Sequence, residues 1–451
     1  MNIDLIRKYN VPGPRYTSYP TVPYWDNDPT INDWKDLVKE SFSISNQKEG
    51  ISLYIHIPFC ESLCTFCGCN TRITVNHGVE VPYMERLLKE WVLYTDLFEE
   101  KPVIKELHIG GGTPTFFSPE NLKTLLSTIL EKSEIHPNHA FSFEAHPKNS
   151  SKEHLQTLFD LGFKRLSLGI QDFDPTVQEV INRIQPYDMV KEVVENAKAI
   201  GYTSINFDLI YGLPFQKMSS VKDTIEKVNT FLPERIAFYS YAHVPWIKPS
   251  QRKYTEKDLP SDEEKRALYE LGKQMFEDLG YVEIGMDHFA LKTDDLSIAV
   301  DEKRLHRNFM GYSADHTTLM VGIGASSIGD SWTGFAQNIK KVEEYYEAVD
   351  NGIFPIYRGH KLSKEDLILR KHILNLMCHF ETSWSDTETI PEFHLIMSKL
   401  KQIAEDGILE ITETGLKVPE HGKPFVRNIC MCFDLRLHRK QPDKALFSQT
   451  V

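Results

Sequence analysis

The 451-residue chain has the composition of an ordinary globular protein, with 41% hydrophobic and 25% charged residues. Its net charge of −13 argues against general binding to nucleic acid, and the absence of a run of 18 or more apolar residues argues against a transmembrane helix. The N-terminus lacks the pattern of a signal peptide, so we expect a cytoplasmic protein.

The first part of the chain predicts an arm followed by alternating strands and helices. Residues 1–50 contain five prolines and are expected to be an irregular N-terminal arm. The strand candidates are 51–57, 104–109, 141–145, 165–170, 204–210 and 235–241. The helix candidates that follow them are 81–98, 120–132, 152–161, 176–181, 189–200 and 221–231. Because this alternation indicates parallel βαβ units, and six units are two short of a closed barrel, we predict an α/β fold with an open, partial (β/α)6 barrel.

The C-terminal part is predicted to be mainly helical. A capping box at Ser261 and Glu264 begins a helix, and further segments with helical periodicity precede a short strand-like pair near residues 408–418. Helices followed by a small hairpin resemble a winged-helix module. Residues 361–451 nevertheless contain 13 Lys/Arg and 13 Asp/Glu, so we do not expect DNA binding. The expected domains are an arm (1–50), a catalytic barrel with an extension (51–330) and a winged-helix-like C-terminal domain (331–451).

Four of the seven cysteines fall within ten residues, which indicates metal binding in a reducing compartment. Cys60, Cys64 and Cys67 have C-x3-C-x2-C spacing, and three thiolates suit an iron–sulfur cubane with one iron left open. A structural zinc bound by these three and Cys69 is the alternative, although such sites usually set two C-x2-C pairs well apart. The other cysteines are expected to be packing residues.

Polar or glycine-rich residues follow each predicted barrel strand. They are the cysteine loop, Gly110 to Thr113, Glu144, Gln171, Asp208 and Ala242. Since ligands of parallel barrels lie at the carboxyl ends of the strands, these residues predict one active site at that end.

The cysteine spacing after a first strand resembles the radical S-adenosylmethionine (SAM) superfamily. Further motifs narrow the resemblance to the oxygen-independent coproporphyrinogen III oxidase family of bacterial haem synthesis, from about residue 10 to the C-terminus. They are Tyr54-x-His56-x-Pro58-Phe-Cys60, Cys67-Gly-Cys69-Asn70, Gly110-Gly-Gly-Thr-Pro-Thr115, Asp208-Leu-Ile-Tyr-Gly-Leu-Pro214 and Pro12-Gly-Pro-Arg-Tyr-Thr-Ser-Tyr-Pro20.

This resemblance implies a [4Fe–4S] cluster on Cys60, Cys64 and Cys67, together with two SAM molecules. The positions that match the site of the cluster-bound SAM are Tyr54, Gly111, Glu144 and Ile328. Those that match the second SAM site are Phe66, Gly112, Thr113, Gln171, Arg183, Asp208 and Ala242. Tyr54 and His56 are also expected to be catalytic, and Cys69 matches a cysteine that does not hold the cluster.

The implied reaction uses a 5′-deoxyadenosyl radical to convert two propionates of coproporphyrinogen III to vinyl groups, giving protoporphyrinogen IX. Four substrate carboxylates predict a cationic pocket, for which the candidates are Arg15, His56, Arg72 and Arg183. Tyr16 and Tyr19 are candidates to close over the macrocycle, and packing of the arm is the alternative interpretation. Flavodoxin or ferredoxin is the expected electron donor of a monomeric enzyme. The alternatives are a haem chaperone, whose relatives typically lack the Cys-Gly-Cys-Asn ending and residues 15–20 of the arm, and another radical SAM enzyme such as a methyltransferase.

Overall fold

The computed structural model describes residues 3–27, 29–246, 248–385, 389–440 and 447–450. Its strands are β1 (Ile51–Ile57), β2 (Phe59–Cys60), β3 (Arg72–Ile73), β4 (Val103–Gly111), β5 (Glu134–Ala145), β6 (Phe163–Gln171), β7 (Ser204–Tyr211), β8 (Arg235–Ser240), β9 (Tyr281–Gly285), β10 (His288–Leu291), β11 (His306–Asn308), β12 (Gly311–Ser313), β13 (Met320–Ile323), β14 (Ile328–Asp330), β15 (Gly334–Asn338), β16 (Ile356–Lys361), β17 (Glu381–Ser383), β18 (Glu410–Thr412) and β19 (Gly415–Lys417). Its helices are α1 (Ile3–Tyr9), α2 (Ile31–Ser45), α3 (Glu80–Thr95), α4 (Pro119–Glu131), α5 (Lys152–Asp160), α6 (Pro175–Val180), α7 (Tyr187–Ile200), α8 (Met218–Asn229), α9 (Asp262–Asp278), α10 (Asp295–Asp301), α11 (Val342–Asp350), α12 (Lys364–His379), α13 (Phe393–Glu405), α14 (Val426–Phe433) and α15 (Leu435–Arg439).

Six parallel strands form the predicted partial barrel, in the order β1-β4-β5-β6-β7-β8. The sequence of β1 shows why its two faces differ. Leu53 and Ile55 are fully buried in the main hydrophobic core, whereas Tyr54 and His56, which alternate with them, face an internal cavity. Since side chains of a strand alternate between its two faces, one face of each strand packs under the helices and the other lines the lumen.

The sheet continues beyond the barrel at both edges. Next to β8 lie β10 and then β9, both antiparallel to their neighbours. At the other edge, β13 runs parallel to β1, and β14, β15 and β16 follow in antiparallel order. The sheet therefore extends past residue 330, and the expected domain division there falls between two paired strands.

The N-terminal arm is more regular than its prolines predicted. Helix α2 begins with a capping box in which Thr30 and Asp33 bond each other's backbone N–H groups. Its buried residues include Trp34, Val38 and Phe42, at the spacing of one helical face, and they join the barrel core. The five prolines all precede this helix, so they break only the first 29 residues of the arm.

The C-terminal region has its own hydrophobic cluster. Helices α12, α13 and α14 pack around it, and β17, β19 and β18 form a small antiparallel sheet beside them, which includes the predicted hairpin. Tyr16 and Tyr19 of the arm are each 1% exposed and lie in this cluster. They therefore pack into the C-terminal region, and the expectation that they close over the active site is wrong. No helix in the described part of the chain is long and apolar enough to span a bilayer.

Candidate active site

The cysteine loop leaves the carboxyl end of β1 and is held at several points along its backbone. The Arg72 N–H donates to the carbonyl of Pro58, at 2.7 Å, so the loop returns to the strand from which it started. The Thr65 N–H donates to the carbonyl of Ile181 beyond α6, at 3.0 Å, and the Asn182 amide donates to the carbonyl of Leu63. These bonds hold the loop against the barrel mouth.

The three expected cluster ligands share one cavity of about 310 Å³. The Arg183 guanidinium lies 3.6 Å from the Cys64 sulfur, and the Thr113 hydroxyl lies 3.4 Å from the Cys60 sulfur. A hydrogen bond from Cys69, together with nearby cations, lowers the pKa of Cys67 to about 6. Three thiols that line one cavity, two of them beside a polar donor, suit an iron–sulfur cluster, whose sulfur ligands accept such bonds.

A second cavity of about 230 Å³ lies on the other side of Glu144, and Tyr54, His56 and Ile328 line it. His56 Nε2 donates to the carbonyl of Asn70, at 3.1 Å, so Nδ1 is free to accept the hydrogen bond of the Tyr54 hydroxyl, at 3.0 Å. Burial lowers the pKa of His56, which favours this neutral form.

Glu144 joins the two cavities, because it lines both. Its Oε2 accepts the Gly111 N–H, at 3.1 Å, and its Oε1 lies 3.6 Å from Nε2 of His108. Burial alone would raise the pKa of this carboxyl, but His108 and the Gly111 N–H hold it below its usual value. Glu144 is therefore an ionised acceptor between the two cavities, suited to a hydroxyl or an ammonium group.

Asp208 lines the cysteine cavity from β7. It accepts hydrogen bonds from Ser167, at 3.2 Å, and from Asn206, at 2.9 Å. Burial and the nearby Glu144 raise its pKa to about 6. This carboxyl therefore titrates closer to neutral pH than an exposed one. Two carboxyls with opposite pKa shifts in one cavity are typical of a functional site.

The glycines after β4 let the backbone approach the cysteine loop. Gly111 has a φ of +118°, in the left-handed region that glycine adopts without strain. A Cβ on Gly112 would lie 2.7 Å from the carbonyl oxygens of Pro58 and Phe59. The turn therefore fits against the strand that leads to Cys60 only because these residues lack side chains.

The cavities gather most of the residues predicted from the sequence. The cysteine cavity is lined by Cys60, Cys64, Phe66, Cys67, Cys69, Gly111, Gly112, Thr113, Glu144, Gln171, Arg183 and Asp208, and the second cavity by Tyr54, His56, Glu144 and Ile328. Ala242 lies partly exposed just beyond β8, where its carbonyl accepts the Gln251 amide, and in the described structure it lines neither of the two cavities.

Two of the predicted cations lie away from these cavities. Arg15 pairs with Asp287, at 2.9 Å, between the barrel and the C-terminal region. Arg72 pairs with Glu343 on the outside of the molecule. Of the four candidates, His56 and Arg183 face the site.

Several lumen residues were missed by sequence reasoning, namely His108, Arg165, Arg235, Tyr239 and His288. The strand sequences contained a signal for some of them. In β6, Leu166 and Leu168 are buried in the core, so the alternating residues Arg165 and Ser167 must face the lumen.

Comparison with known proteins agrees with this fold and site. The Radical SAM superfamily matches residues 54–228. The chain is 40% identical to the oxygen-independent coproporphyrinogen III oxidase of Helicobacter pylori, over 97% of both chains. It is 37% identical to the protein of that name from Escherichia coli, over 97% of this chain and 96% of the relative. The solved structure of coproporphyrinogen III oxidase from Escherichia coli superposes with a TM-score of 0.90 at 35% identity, over 96% of this chain and 98% of that one.

The fold and the cysteine site thus define a radical SAM enzyme, for which a [4Fe–4S] cluster and SAM are the cofactors of the superfamily. Within that class the chain belongs to the oxygen-independent coproporphyrinogen III oxidase family. The resemblance and the fold class predicted from the sequence motifs are confirmed.

Proposed function

We propose that this chain converts coproporphyrinogen III to protoporphyrinogen IX by oxidative decarboxylation of two propionates, without oxygen. The observation that carries this proposal is the near full-length similarity to oxidases named for that substrate. It is supported by one cavity at the strand ends that is lined by Cys60, Cys64 and Cys67 together with Glu144 and Asp208. A haem chaperone is less well supported, because the motifs at residues 12–20 and 67–70 favour the oxidase.

The ligand set of the cluster is proposed to be Cys60, Cys64 and Cys67. When bound, the cluster and SAM supply the radical that removes a hydrogen atom from the substrate propionate. Cys69 is proposed not to be a ligand, because it matches a cysteine of the family that does not hold the cluster. The Arg183 guanidinium, which also donates to the Gly169 carbonyl at 2.7 Å, is held in position to donate to Cys64.

Two SAM sites are proposed, one on each side of Glu144. Tyr54, Gly111, Glu144 and Ile328 would bind the cluster-bound molecule, for which the ionised Glu144 offers an acceptor. Tyr54 and Ile328 line the second cavity, and Gly111 lines the cysteine cavity. The second molecule is assigned to the other predicted set, which is Phe66, Gly112, Thr113, Gln171, Arg183, Asp208 and Ala242. Ala242 has the weakest support, because it lies outside the lining of the cysteine cavity.

The chain's own side chains would orient the substrate and exclude water. The Tyr54 hydroxyl and the His56 ring form a fixed pair, and His56 is anchored to the Asn70 carbonyl on the cysteine loop. This pair links β1 to the loop, so it would hold the barrel wall and the cluster loop in one geometry. We propose Tyr54 and His56 as residues that position the reacting groups.

The partners and location are proposed on the same basis. An electron-transfer protein such as flavodoxin or ferredoxin would supply electrons to a monomeric enzyme in the cytoplasm. No nucleic-acid or membrane partner is proposed, in view of the net charge of −13.

The test is anaerobic incubation of reconstituted protein with coproporphyrinogen III, SAM and a reductant, followed by mass measurement of the porphyrinogen. We expect the loss of two CO2 molecules and four hydrogen atoms. Iron analysis should give about four irons per chain, lost in Cys60→Ala, Cys64→Ala and Cys67→Ala and retained in Cys69→Ala. Unchanged substrate with tight haem binding would favour the chaperone, and iron loss in Cys69→Ala would restore a four-cysteine site.

The number of SAM molecules needs its own measurement. Equilibrium dialysis should give two per wild-type chain, and Gln171→Ala and Asp208→Ala should weaken one site while iron-bound SAM stays visible spectroscopically. A single site in the wild-type protein would remove the assignment of the second set.

A further inference from the structure

A chamber of about 150 Å³ lies in the barrel lumen below the cysteine cavity, towards the amino ends of the strands. The chamber and the cysteine cavity share Glu144, Ser167, Asp208 and Tyr239 as lining residues, so the two spaces adjoin. The chamber is smaller than the range of about 300–1,000 Å³ typical of pockets for whole ligands. It therefore suits one arm of a larger molecule and excludes a tetrapyrrole ring.

Arg165 lies on the wall of this chamber, one residue layer below the carboxylates of the active site. It pairs in register with Ser142 on β5 and with Ser204 on β7, two residues before Ser167, whose hydroxyl bonds Asp208. Since a strand rises about 3.3 Å per residue, the Cα atom of Arg165 lies about 7 Å below that of Ser167 along β6. The long Arg165 side chain can therefore contact a group of a bound ligand that extends from the active site into the chamber.

The Arg165 guanidinium has no acceptor within hydrogen-bonding distance among the described residues. The carboxylates of Glu106, Asp294 and Asp295 act on it only through space. Glu106 is instead bonded by Ser52, at 2.8 Å, and by Ser313. Burial and the neighbouring Arg235 lower the pKa of Arg165 to about 10, so it remains charged at neutral pH. Arg165 is partly exposed to the chamber, so a guanidinium that no described protein group bonds is open to a ligand that enters there.

Arg235 provides a second unused donor on the same wall. Its Nε donates to both oxygens of Asp294, at 2.8 and 2.9 Å, but its buried Nη2 has no partner in the described part of the chain. The residue is 6% exposed and lines the chamber. Because Arg235 bonds Asp294 and two serines bond Glu106, the chamber retains the unbonded donors of Arg165 and one free N–H of Arg235.

We propose that Arg165, assisted by Nη2 of Arg235, binds a carboxylate of the substrate in this chamber. The inference rests on the proposed function, which supplies a substrate with four propionates. The anchored propionate is one that does not react in that turnover, because the chamber lies a layer below Glu144 and Asp208. A guanidinium bonds a carboxylate through two parallel N–H donors, which would fix the orientation of the ring above it.

The competing explanation is that Arg165 only offsets the charge of Glu106. In that case its removal would lower stability and leave substrate affinity unchanged. If Arg165 binds a substrate arm, its removal should raise the KM for coproporphyrinogen III and leave SAM binding nearly unchanged. The two explanations therefore differ in a quantity that does not depend on how stable the variant is.

The experiment compares Arg165→Met and Arg165→Lys with Arg86→Met, whose arginine pairs with Asp350 outside the barrel, at 2.8 Å. Removing a charged hydrogen bond should raise the KM of Arg165→Met by about tenfold to a hundredfold. Lysine, which keeps the charge without the two parallel donors, should give a smaller rise. Arg86→Met should match the wild type. Iron content, SAM affinity and deoxyadenosine formed without substrate should be equal in all four proteins.

The possible failures are distinguishable. If the wild type converts coproporphyrinogen III and the KM of Arg165→Met stays within about twofold, a factor worth less than 1 kcal/mol, the anchor is refuted while the function stands. If Arg165→Met loses its iron, Arg165→Lys decides, and a wild-type KM in that variant refutes the anchor. If the wild type converts no coproporphyrinogen III, the proposed function falls and the anchor falls with it.

Discussion

Asp434 is a buried carboxyl that joins the N-terminal arm to the C-terminal region. It is 1% exposed, its Oδ2 accepts the Tyr16 hydroxyl at 3.0 Å, and its Oδ1 accepts the Leu437 N–H at 2.9 Å. Burial raises its pKa to about 6. Between about pH 4 and 6 the folded protein therefore binds a proton that the unfolded chain has released, and the resulting stabilisation is lost as the pH rises through 6.

Asp434→Asn should remove this pH dependence and keep the packing. The Tyr16 hydroxyl can rotate to accept a hydrogen bond from the new amide N–H. The remaining side-chain oxygen can still accept the Leu437 N–H. Relative to the wild type, we expect the variant to gain on the order of 1–3 kcal/mol of stability between pH 4 and pH 7. The measurement is Tm against pH, from 4 to 8, where the two curves should diverge between about pH 4 and 6 and keep a constant separation above pH 6. Curves that are parallel over the whole range would show that Asp434 keeps an ordinary pKa in the folded protein.

At the scale of elements, the glycine turn after β4 is fitted to the strand that leads into the cysteine loop. Gly112→Ala would place a Cβ against the carbonyl oxygens of Pro58 and Phe59, and such overpacking typically costs about 1–3 kcal/mol. Because Cys60 follows immediately, we expect lower iron retention and weaker SAM binding. Gly68→Ala is the matched control, since its Cβ would meet nothing within 4 Å. Equal iron and SAM contents in the two variants would contradict this account.

The six βα units were predictable because each strand and helix has a local hydrophobic pattern. The β13 to β16 extension was not, since its pairing with β1 joins residues 52 and 320, which no local pattern relates. Helix α2 was not predicted, because the five prolines before it suggested that the whole arm is irregular. In the site, motif positions such as Glu144 and Asp208 could be identified from the strand ends. Arg165 could be placed in the lumen only once the neighbouring strands gave its register.

At the scale of the whole molecule, the two ends of the chain are packed together. The Gly13 N–H donates to the Ser448 carbonyl, at 3.0 Å, close to an antiparallel bridge between residues 12 and 449. The Arg427 guanidinium donates to the carbonyls of Pro14, at 2.9 Å, and Gln449, at 2.7 Å. Burial lowers the pKa of Arg427 to about 10, and these carbonyls satisfy its donors. The first part of the arm, before α2, is therefore an integral part of the C-terminal region.

Deleting residues 1–22 should consequently destabilise the protein before it affects the chemistry. The truncation removes Tyr16 and Tyr19 from the C-terminal cluster and leaves Arg427 without acceptors from the arm. Buried aromatic side chains contribute several kcal/mol each, so we expect Tm to fall by on the order of 5–15 °C. Deleting only residues 1–8 keeps both tyrosines and should cost much less. Iron content and the ratio of deoxyadenosine to vinyl groups, measured in the same anaerobic sample below Tm, should stay near wild type in both truncations. An arm that acts as a lid would give the opposite result, with unchanged Tm and deoxyadenosine formed without product.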